Sequence, residues 1–328
     1  VRPYFALPQA EEILHPGHYA CPGCGLMPAL RLLLKTLGRN TVLVVPACCY
    51  AVIDGPYPYS AAGVPLVHSA FAAAAAYASG VRAGLDAQGQ DQTQVVVVAG
   101  DGGTFDIGLQ ALSAAAERNE NILYFCYDNE AYMNTGIQRS SATPRGAWTT
   151  TTPAGAPKPE PKKDLGAIMA AHRIPYFATA SPAFPDDLYH KIARARDIRG
   201  FRMIHCLSPC PTGWKSDSAE MITLARLAVR SRVFPLYEVE HGDIWRLTCQ
   251  PEPVPVREYL KVQGRFAHLG EEQIQKIQQE VEGAWERLLR RCSAGSPPGP
   301  GSPGAPPAQQ PDGGRDSEPV PSGGLRVD

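Results

Sequence analysis

Apolar residues fall along this chain in two rhythms. Short unbroken runs, such as Val42-Leu43-Val44-Val45 and Val95-Val96-Val97-Val98-Ala99, are separated by longer segments in which apolar positions recur every three or four residues. The runs predict strands at 42–45, 94–99, 122–127, 176–180, 202–206 and 236–239. The longer segments predict helices at 27–37, 70–85, 107–118, 165–172, 185–198 and 219–231. A strand that is apolar at every position is covered on both faces, which means a parallel sheet between two helical layers. The expectation is an α/β fold: one doubly wound, mostly parallel sheet with flanking helices, spanning residues 1–292 and without internal repeat. Residues 271–291 read as an amphipathic helix with Ile274, Ile277, Val281, Trp285, Leu288 and Leu289 on one face, packing on this chain or on a partner subunit. Residues 293–328 are Pro, Gly, Ser and Ala with few large apolar side chains, and such a segment is expected to be disordered.

Composition narrows the function classes. With 31 basic and 32 acidic residues in 328, the chain carries no field suited to nucleic acid or an anionic membrane. No apolar run is long enough to span a bilayer, and Val1-Arg2-Pro3-Tyr4 has no signal-peptide pattern, so a cytoplasmic location is expected. Nine cysteines without an extracellular context argue for metal ligation or redox use before disulfides.

Two constellations carry chemistry. In the first, the strand ending at Ala99 runs into Gly100-Asp101-Gly102-Gly103, and the strand at 122–127 delivers Tyr127-Asp128-Asn129-Glu130 about one βαβ unit later. Glycines let the backbone approach a diphosphate, and a following helix N-terminus near Asp106 adds partial positive charge. A hard ion such as Mg²⁺ takes a few protein oxygens and completes its octahedron with phosphate and water. Asp101, the Asn129 side chain and a backbone carbonyl just after it are the natural ligands. Gly-Asp-Gly alone fits an ordinary strand-turn-helix equally well; the spaced Asn129 tips the balance. In the second constellation, Cys21-Pro22-Gly23-Cys24-Gly25 forms a knuckle, Cys48-Cys49 follow a strand, and Cys210 follows another within Leu207-Ser208-Pro209-Cys210-Pro211. Four thiolates from three loops suit tetrahedral zinc or a [4Fe–4S] cluster, and spacing does not separate these. Cys126 reads as a small buried side chain, and Cys206, Cys249 and Cys292 as core or surface thiols.

Together the Cys21–Gly25 knuckle, Gly100-Asp101-Gly102-Gly103 with Asp106-Ile107-Gly108-Leu109-Gln110, the run Tyr127-Asp128-Asn129-Glu130-Ala131-Tyr132-Met133-Asn134-Thr135-Gly136-Ile137-Gln138-Arg139-Ser140-Ser141, and Leu207-Ser208-Pro209-Cys210-Pro211 resemble the β subunit of pyruvate:ferredoxin oxidoreductases, in the 2-oxoacid:ferredoxin oxidoreductase family. The resemblance runs from about His15 to the final helix. It implies a thiamine-diphosphate-binding fold with Mg²⁺ on Asp101, Asn129 and the Ala131 carbonyl, beside Gly100, Gly102 and Gly103. It implies a [4Fe–4S] cluster on Cys21, Cys24, Cys49 and Cys210, with Asn134 and Thr135 near thiazolium and substrate and Phe71 lining the cofactor pocket. The implied reaction is oxidative decarboxylation of pyruvate or a close 2-oxoacid to acyl-CoA and CO₂, with electrons passing singly through the cluster to ferredoxin.

This chain has Ala47-Cys48-Cys49 where the family commonly has Thr-Gly-Cys. An ungapped count from Tyr57-Pro58-Tyr59 selects Cys49, but the adjacent thiol keeps Cys48 open. No glutamate here has the context of the one that activates thiamine diphosphate. The resemblance implies an α subunit that supplies it, with further γ and ferredoxin-like δ subunits. The alternatives are a non-redox thiamine-dependent decarboxylase subunit with a Cys₄ zinc, an oxidoreductase for a branched 2-oxoacid or oxalate, and a scaffold subunit that has lost its cofactor. A nicotinamide dehydrogenase is disfavoured, because Gly100-Asp101-Gly102-Gly103 is not Gly-x-Gly-x-x-Gly.

Overall fold

The computed structural model describes residues 11–294. The expected disordered tail lies outside them except for Ser293 and Ala294, which end the last helix, and so do the four N-terminal residues read for a signal. Eight strands, β1 (Thr41–Pro46), β2 (Leu66–Ser69), β3 (Gln94–Gly100), β4 (Leu123–Asp128), β5 (Tyr176–Ala180), β6 (Arg202–Leu207), β7 (Tyr237–Glu240) and β8 (Ile244–Leu247), form one sheet in the order β2-β1-β3-β4-β6-β5-β7-β8. The six strands from β2 to β5 are parallel, and β7 and β8 add an antiparallel hairpin at one edge. The helices among the described residues are α1 (Leu26–Leu37), α2 (Cys49–Ile53), α3 (Ala74–Ala87), α4 (Leu109–Glu117), α5 (Leu165–Ala171), α6 (Pro185–Asp197), α7 (Pro211–Trp214), α8 (Met221–Arg230), α9 (Val256–Leu260) and α10 (Glu271–Ala294).

The unbroken apolar runs are explained by burial on both sides. Leu43, Val45, Val96, Val98, Leu123 and Phe125 face α1 and α6, while Val44, Val95, Val97, Tyr124 and Cys126 face α3, α4 and the Trp285 and Leu288 side chains of α10. Each fully buried side chain of this size contributes about 1.5–3 kcal/mol, so most strand positions between the layers are apolar, with Thr179, Arg202 and His205 among the buried polar exceptions. The outer face of α10 stays polar, and Ile274, Ile277 and Val281 pack against Tyr259, Leu260 and Phe266 of this same chain. Among the described residues no helix is long and apolar enough to cross a membrane.

Two boundaries differ from expectation in ways that matter for the site. The helix expected at 70–85 starts only at Ala74, because Leu66–Ser69 is the edge strand β2, too short for its pattern to show. The helix expected at 107 is preceded by a wide π-type turn over Gly102–Asp106, so helical backbone begins directly after Asp101.

β1, β3, β4 and β6 stand side by side, in register through Leu43↔Val96, Val96↔Leu123 and Leu123↔Arg202. Their C-terminal ends therefore meet along one rim, delivering Cys48 and Cys49, Asp101, Asn129 and Cys210. From β1 the chain goes to β2 on one side and then returns to β3 on the other. A crevice at such a switch point is where open α/β sheets hold ligands.

Candidate functional site

Asp101 leaves β3 buried, 1% exposed. Its Oδ2 accepts a 2.5 Å hydrogen bond from Ser140 Oγ. Burial and the nearby Asp128 carboxylate push the Asp101 carboxyl well above the usual range, against the opposing pull of Ser140 and Lys162. Its other oxygen, Oδ1, meets the end of the Asn129 amide at 2.9 Å, and that amide is also 2.9 Å from the Ala131 carbonyl oxygen. With the amide oxygen turned inward, three acceptors converge. With the NH₂ turned inward, the amide would donate to both neighbours. The first arrangement is repulsive unless a cation lies among the oxygens. The edge of an octahedron with metal–oxygen bonds of 2.0–2.1 Å is about 2.9 Å, so the donor set and its spacing fit Mg²⁺.

The two carbonyls before Ala131 are committed elsewhere. Asn129 O accepts from Trp214 Nε1 at 2.8 Å and Glu130 O from Thr143 Oγ1 at 2.6 Å, leaving the Ala131 carbonyl for the site. Glu130 sits between them at φ 69°, a left-handed conformation that a non-glycine residue adopts only when its surroundings impose it. Those surroundings are charged. Lys162 Nζ lies 2.5 Å from Asp128 Oδ2 and 2.9 Å from Glu130 Oε1, Arg265 Nη2 lies 2.6 Å from Glu130 Oε2, and His205 Nε2 lies 2.7 Å from Asp128 Oδ2. Burial alone would raise the Asp128 carboxyl; Lys162 and His205 overcome it and hold it down at about 2. Burial outweighs that carboxylate at His205, whose pKa is lowered, so the imidazole is neutral.

The glycines make room for rings. A Cβ on Gly102 would stand 2.4 Å from the Tyr132 ring, and one on Gly103 would stand 3.1 Å from Phe71. Phe71 and Tyr132 meet edge to face at 6.0 Å, forming a lid over the turn, although Phe71 lies before α3 rather than on it as expected. Asp106 draws the lid down, accepting from Tyr132 Oη at 3.1 Å, Ser141 N at 3.0 Å and Ser141 Oγ. Asn134 and Thr135 are exposed at the tip of the loop beyond, outside the buried oxygen group. Thr135 Oγ1 is 2.5 Å from Gln138 Oε1.

The thiols come together from three loops. Gly25 N donates to Pro209 O at 3.0 Å, and a Cβ on Gly25 would stand 2.8 Å from the Pro209 backbone, so only glycine lets the Cys21–Cys24 knuckle lie against the Cys210 loop. Electrostatic neighbours trace the group: Cys24 feels Cys210 and Cys21, Cys49 feels Cys210 and Cys24, and Cys210 feels Cys21. Cys48 instead faces the Tyr127 hydroxyl and the backbone of Tyr50, Ala51 and Gly100. Burial, reinforced by the neighbouring thiols, pushes Cys24 up to about 11 and raises Cys49 and Cys210. Among the described residues no three His, Cys, Asp or Glu side chains close into a single-ion site. His18, adjoining the knuckle, accepts only a long 3.4 Å bond from Ala20 N on its Nδ1.

One short element links the two groups. Cys210 caps α7, its Sγ accepting from Gly213 N at 3.4 Å, and Trp214 at the other end of α7 bonds Asn129 O under the Arg265 guanidinium, 4.0 Å above its ring. Ser140, Lys162, Trp214 and Arg265 were not singled out from sequence. Ser140 lies in the run that carried the resemblance, but Lys162 and Arg265 reach Glu130 across 32 and 135 residues, where local pattern has no signal.

Residues 48–206 match the family described as "Thiamine pyrophosphate enzyme, C-terminal TPP binding domain". The pyruvate synthase subunit PorB of Methanothermobacter marburgensis is 52% identical over 282 residues, covering 85% of this chain and 98% of that protein. The chain belongs to the 2-oxoacid:ferredoxin oxidoreductase family. Within the family, the ketoisovalerate oxidoreductase subunit VorB of Pyrococcus horikoshii is 50% identical over 290 residues, covering 85% of this chain and 93% of that one. A 2-oxoglutarate:ferredoxin oxidoreductase from Magnetococcus marinus shares the family fold at 24% identity and a TM-score of 0.53, over 67% of this chain and 83% of that one. The family match takes in Asp101, Asn129 and Ala131 and leaves out Cys21, Cys24 and Cys210.

Proposed function

We propose that this family member is the subunit that holds thiamine diphosphate and passes its electrons on during oxidation of pyruvate or a close 2-oxoacid. The observation that carries the reading is the meeting of two donor sets on one rim of the sheet, three hard oxygens at Asp101, Asn129 and Ala131 and four soft thiols at Cys21, Cys24, Cys49 and Cys210. The oxygens hold Mg²⁺ and through it the diphosphate. Gly100, Gly102 and Gly103 carry the backbone past it, Phe71 and Tyr132 shield it, and Asn134 and Thr135 reach over from the exposed loop. The thiols hold a [4Fe–4S] cluster. When bound, thiamine diphosphate supplies the carbon acid that decarboxylates a 2-oxoacid, chemistry that belongs to the cofactor. This chain's own part is to fix the cofactor's anionic end, exclude water from it and keep a one-electron acceptor beside it.

An α subunit supplies the activating glutamate, coenzyme A takes the acyl group, and ferredoxin takes the electrons, with γ and ferredoxin-like δ subunits completing a cytoplasmic complex. Exposed Tyr19, Val52, Tyr57 and Tyr59 are large apolar side chains left uncovered beside the thiol region, which a partner subunit would bury. To test the reading, the full chain is purified with the subunits that accompany it and a panel of 2-oxoacids is assayed for CoA-dependent reduction of a low-potential acceptor. Iron, zinc and magnesium are measured alongside. Pyruvate turnover with about four irons per chain beyond those of the partners is expected. Zinc in place of iron, or no oxidation of any 2-oxoacid, overturns it.

A further inference from the structure

Asp128 and Glu130 flank Asn129 and enter a buried pairing that no step of the proposed reaction uses. Lys162 alone touches both carboxylates, while Arg265 takes the second oxygen of Glu130. Arg265 is itself fixed, its Nε donating to Gln263 Oε1 at 2.9 Å. Lys162 holds Asp128 and Glu130 together on either side of Asn129, whose amide end meets Asp101 Oδ1 and the Ala131 carbonyl oxygen at 2.9 Å. Glu130 turns the chain at a left-handed φ of 69°, and the Ala131 carbonyl that follows lies 2.9 Å from the Asn129 amide. Two like charges two residues apart would otherwise drive the turn open.

We infer that Lys162, with Arg265 behind it, is a positioning residue for the metal: a cationic clamp that sets the Asn129 and Ala131 oxygens at the spacing Mg²⁺ requires. The inference rests on the reading of Asp101, Asn129 and Ala131 as the Mg²⁺ site. It goes beyond that reading in assigning the preorganisation of the site to residues that never touch the ion. Outer partners of metal ligands commonly govern affinity in this way. A substitution that opens the clamp raises the metal concentration required, without removing a single ligand.

The test follows Mg²⁺ dependence rather than turnover. In the complex of full chain and accompanying subunits, retained thiamine diphosphate is titrated with Mg²⁺ for wild type, Lys162→Gln, Lys162→Arg and Glu130→Gln, with thermal unfolding of each metal-free sample. Lys162→Gln is expected to raise half-saturating Mg²⁺ by about 10- to 100-fold, with retention recovering in excess Mg²⁺, and Lys162→Arg to stay close to wild type. Glu130→Gln, which preserves shape and halves the clamped charge, is expected to fall between them. A lowered unfolding midpoint with unchanged Mg²⁺ half-saturation in Lys162→Gln overturns the inference, showing a structural ion pair only. If Lys162→Gln does not fold, an unchanged titration in Glu130→Gln overturns it equally. A wild-type complex whose thiamine diphosphate is indifferent to Mg²⁺ overturns the metal reading itself, and the inference with it.

Discussion

The oxygen group and the thiol group share one rim of the sheet but are built in opposite ways. Asp101, Asn129 and Ala131 are 1%, 7% and 3% exposed; Ser140 bonds Asp101, Trp214 bonds the Asn129 carbonyl, and ion pairs hold Glu130 between Asn129 and Ala131 before any ligand arrives. The thiols come from loops, Cys21 is exposed, and backbone donors at Cys24 and Cys210 offset only part of the burial that raises Cys24, Cys49 and Cys210. A hard ion held by few protein oxygens needs them preplaced, whereas soft metal–thiolate bonds are strong enough to organise their own ligands and displace their protons. The reach of the family match follows the same divide. The oxygen turn lies within the segment shared with thiamine enzymes generally, and three of the four thiols lie outside it.

The sharpest way to break this comparison is at Asp101. Asp101→Asn should weaken Mg²⁺-dependent thiamine diphosphate retention by on the order of 100-fold. The metal-free variant should unfold at a temperature no lower than wild type, because a buried carboxylate without its cation stabilises nothing. Equal loss of folding stability would show that Asp101 is structural. On the thiol side, Cys24→Ser should abolish the iron–sulfur absorbance while Cys48→Ser keeps it, as the direction of Cys48 toward Tyr127 requires. Iron analysis of both variants checks this, and an iron-free Cys48→Ser would reverse the assignment of the third ligand.

Much of this was legible in the sequence. Continuous valine runs gave the parallel sheet because burial on both faces leaves no alternation to read, and glycine-bounded Asp101 and spaced Asn129 marked the rim. Spacing does not reveal that the Tyr132 ring lies against Gly102, because no spacing shows which way a ring inside the run points. The clamp behind Glu130 was invisible because an isolated Lys162 or Arg265 looks like any solvated charge until the fold brings it to a carboxylate.

Two smaller measurements sharpen the picture of the preplaced region. Gly102→Ala drives a methyl into the Tyr132 ring and should cost about 1–3 kcal/mol in urea unfolding; Tyr132→Ala in the same chain should recover part of it. Among the described residues, buried Lys158 donates only to the carbonyls of Thr143 and Pro161, at 2.7 and 3.0 Å, beside the same loop. Burial lowers its pKa to about 8. Between about pH 8 and the unfolded value near 10.4 the unfolded chain binds the extra proton, so wild-type stability should gain from this group as pH rises through that window. Lys158→Met should lack that component when the two unfolding series are subtracted.

The four residues of α7 have a consequence for timing. Electron tunnelling falls off exponentially with separation, so a gap that breathes gives a scatter of transfer rates dominated by its closest approaches. On the proposed reading, a short strut with the Cys210 thiol at one end and the Trp214 indole bonded to Asn129 at the other would narrow that scatter, making each electron transfer much like the last.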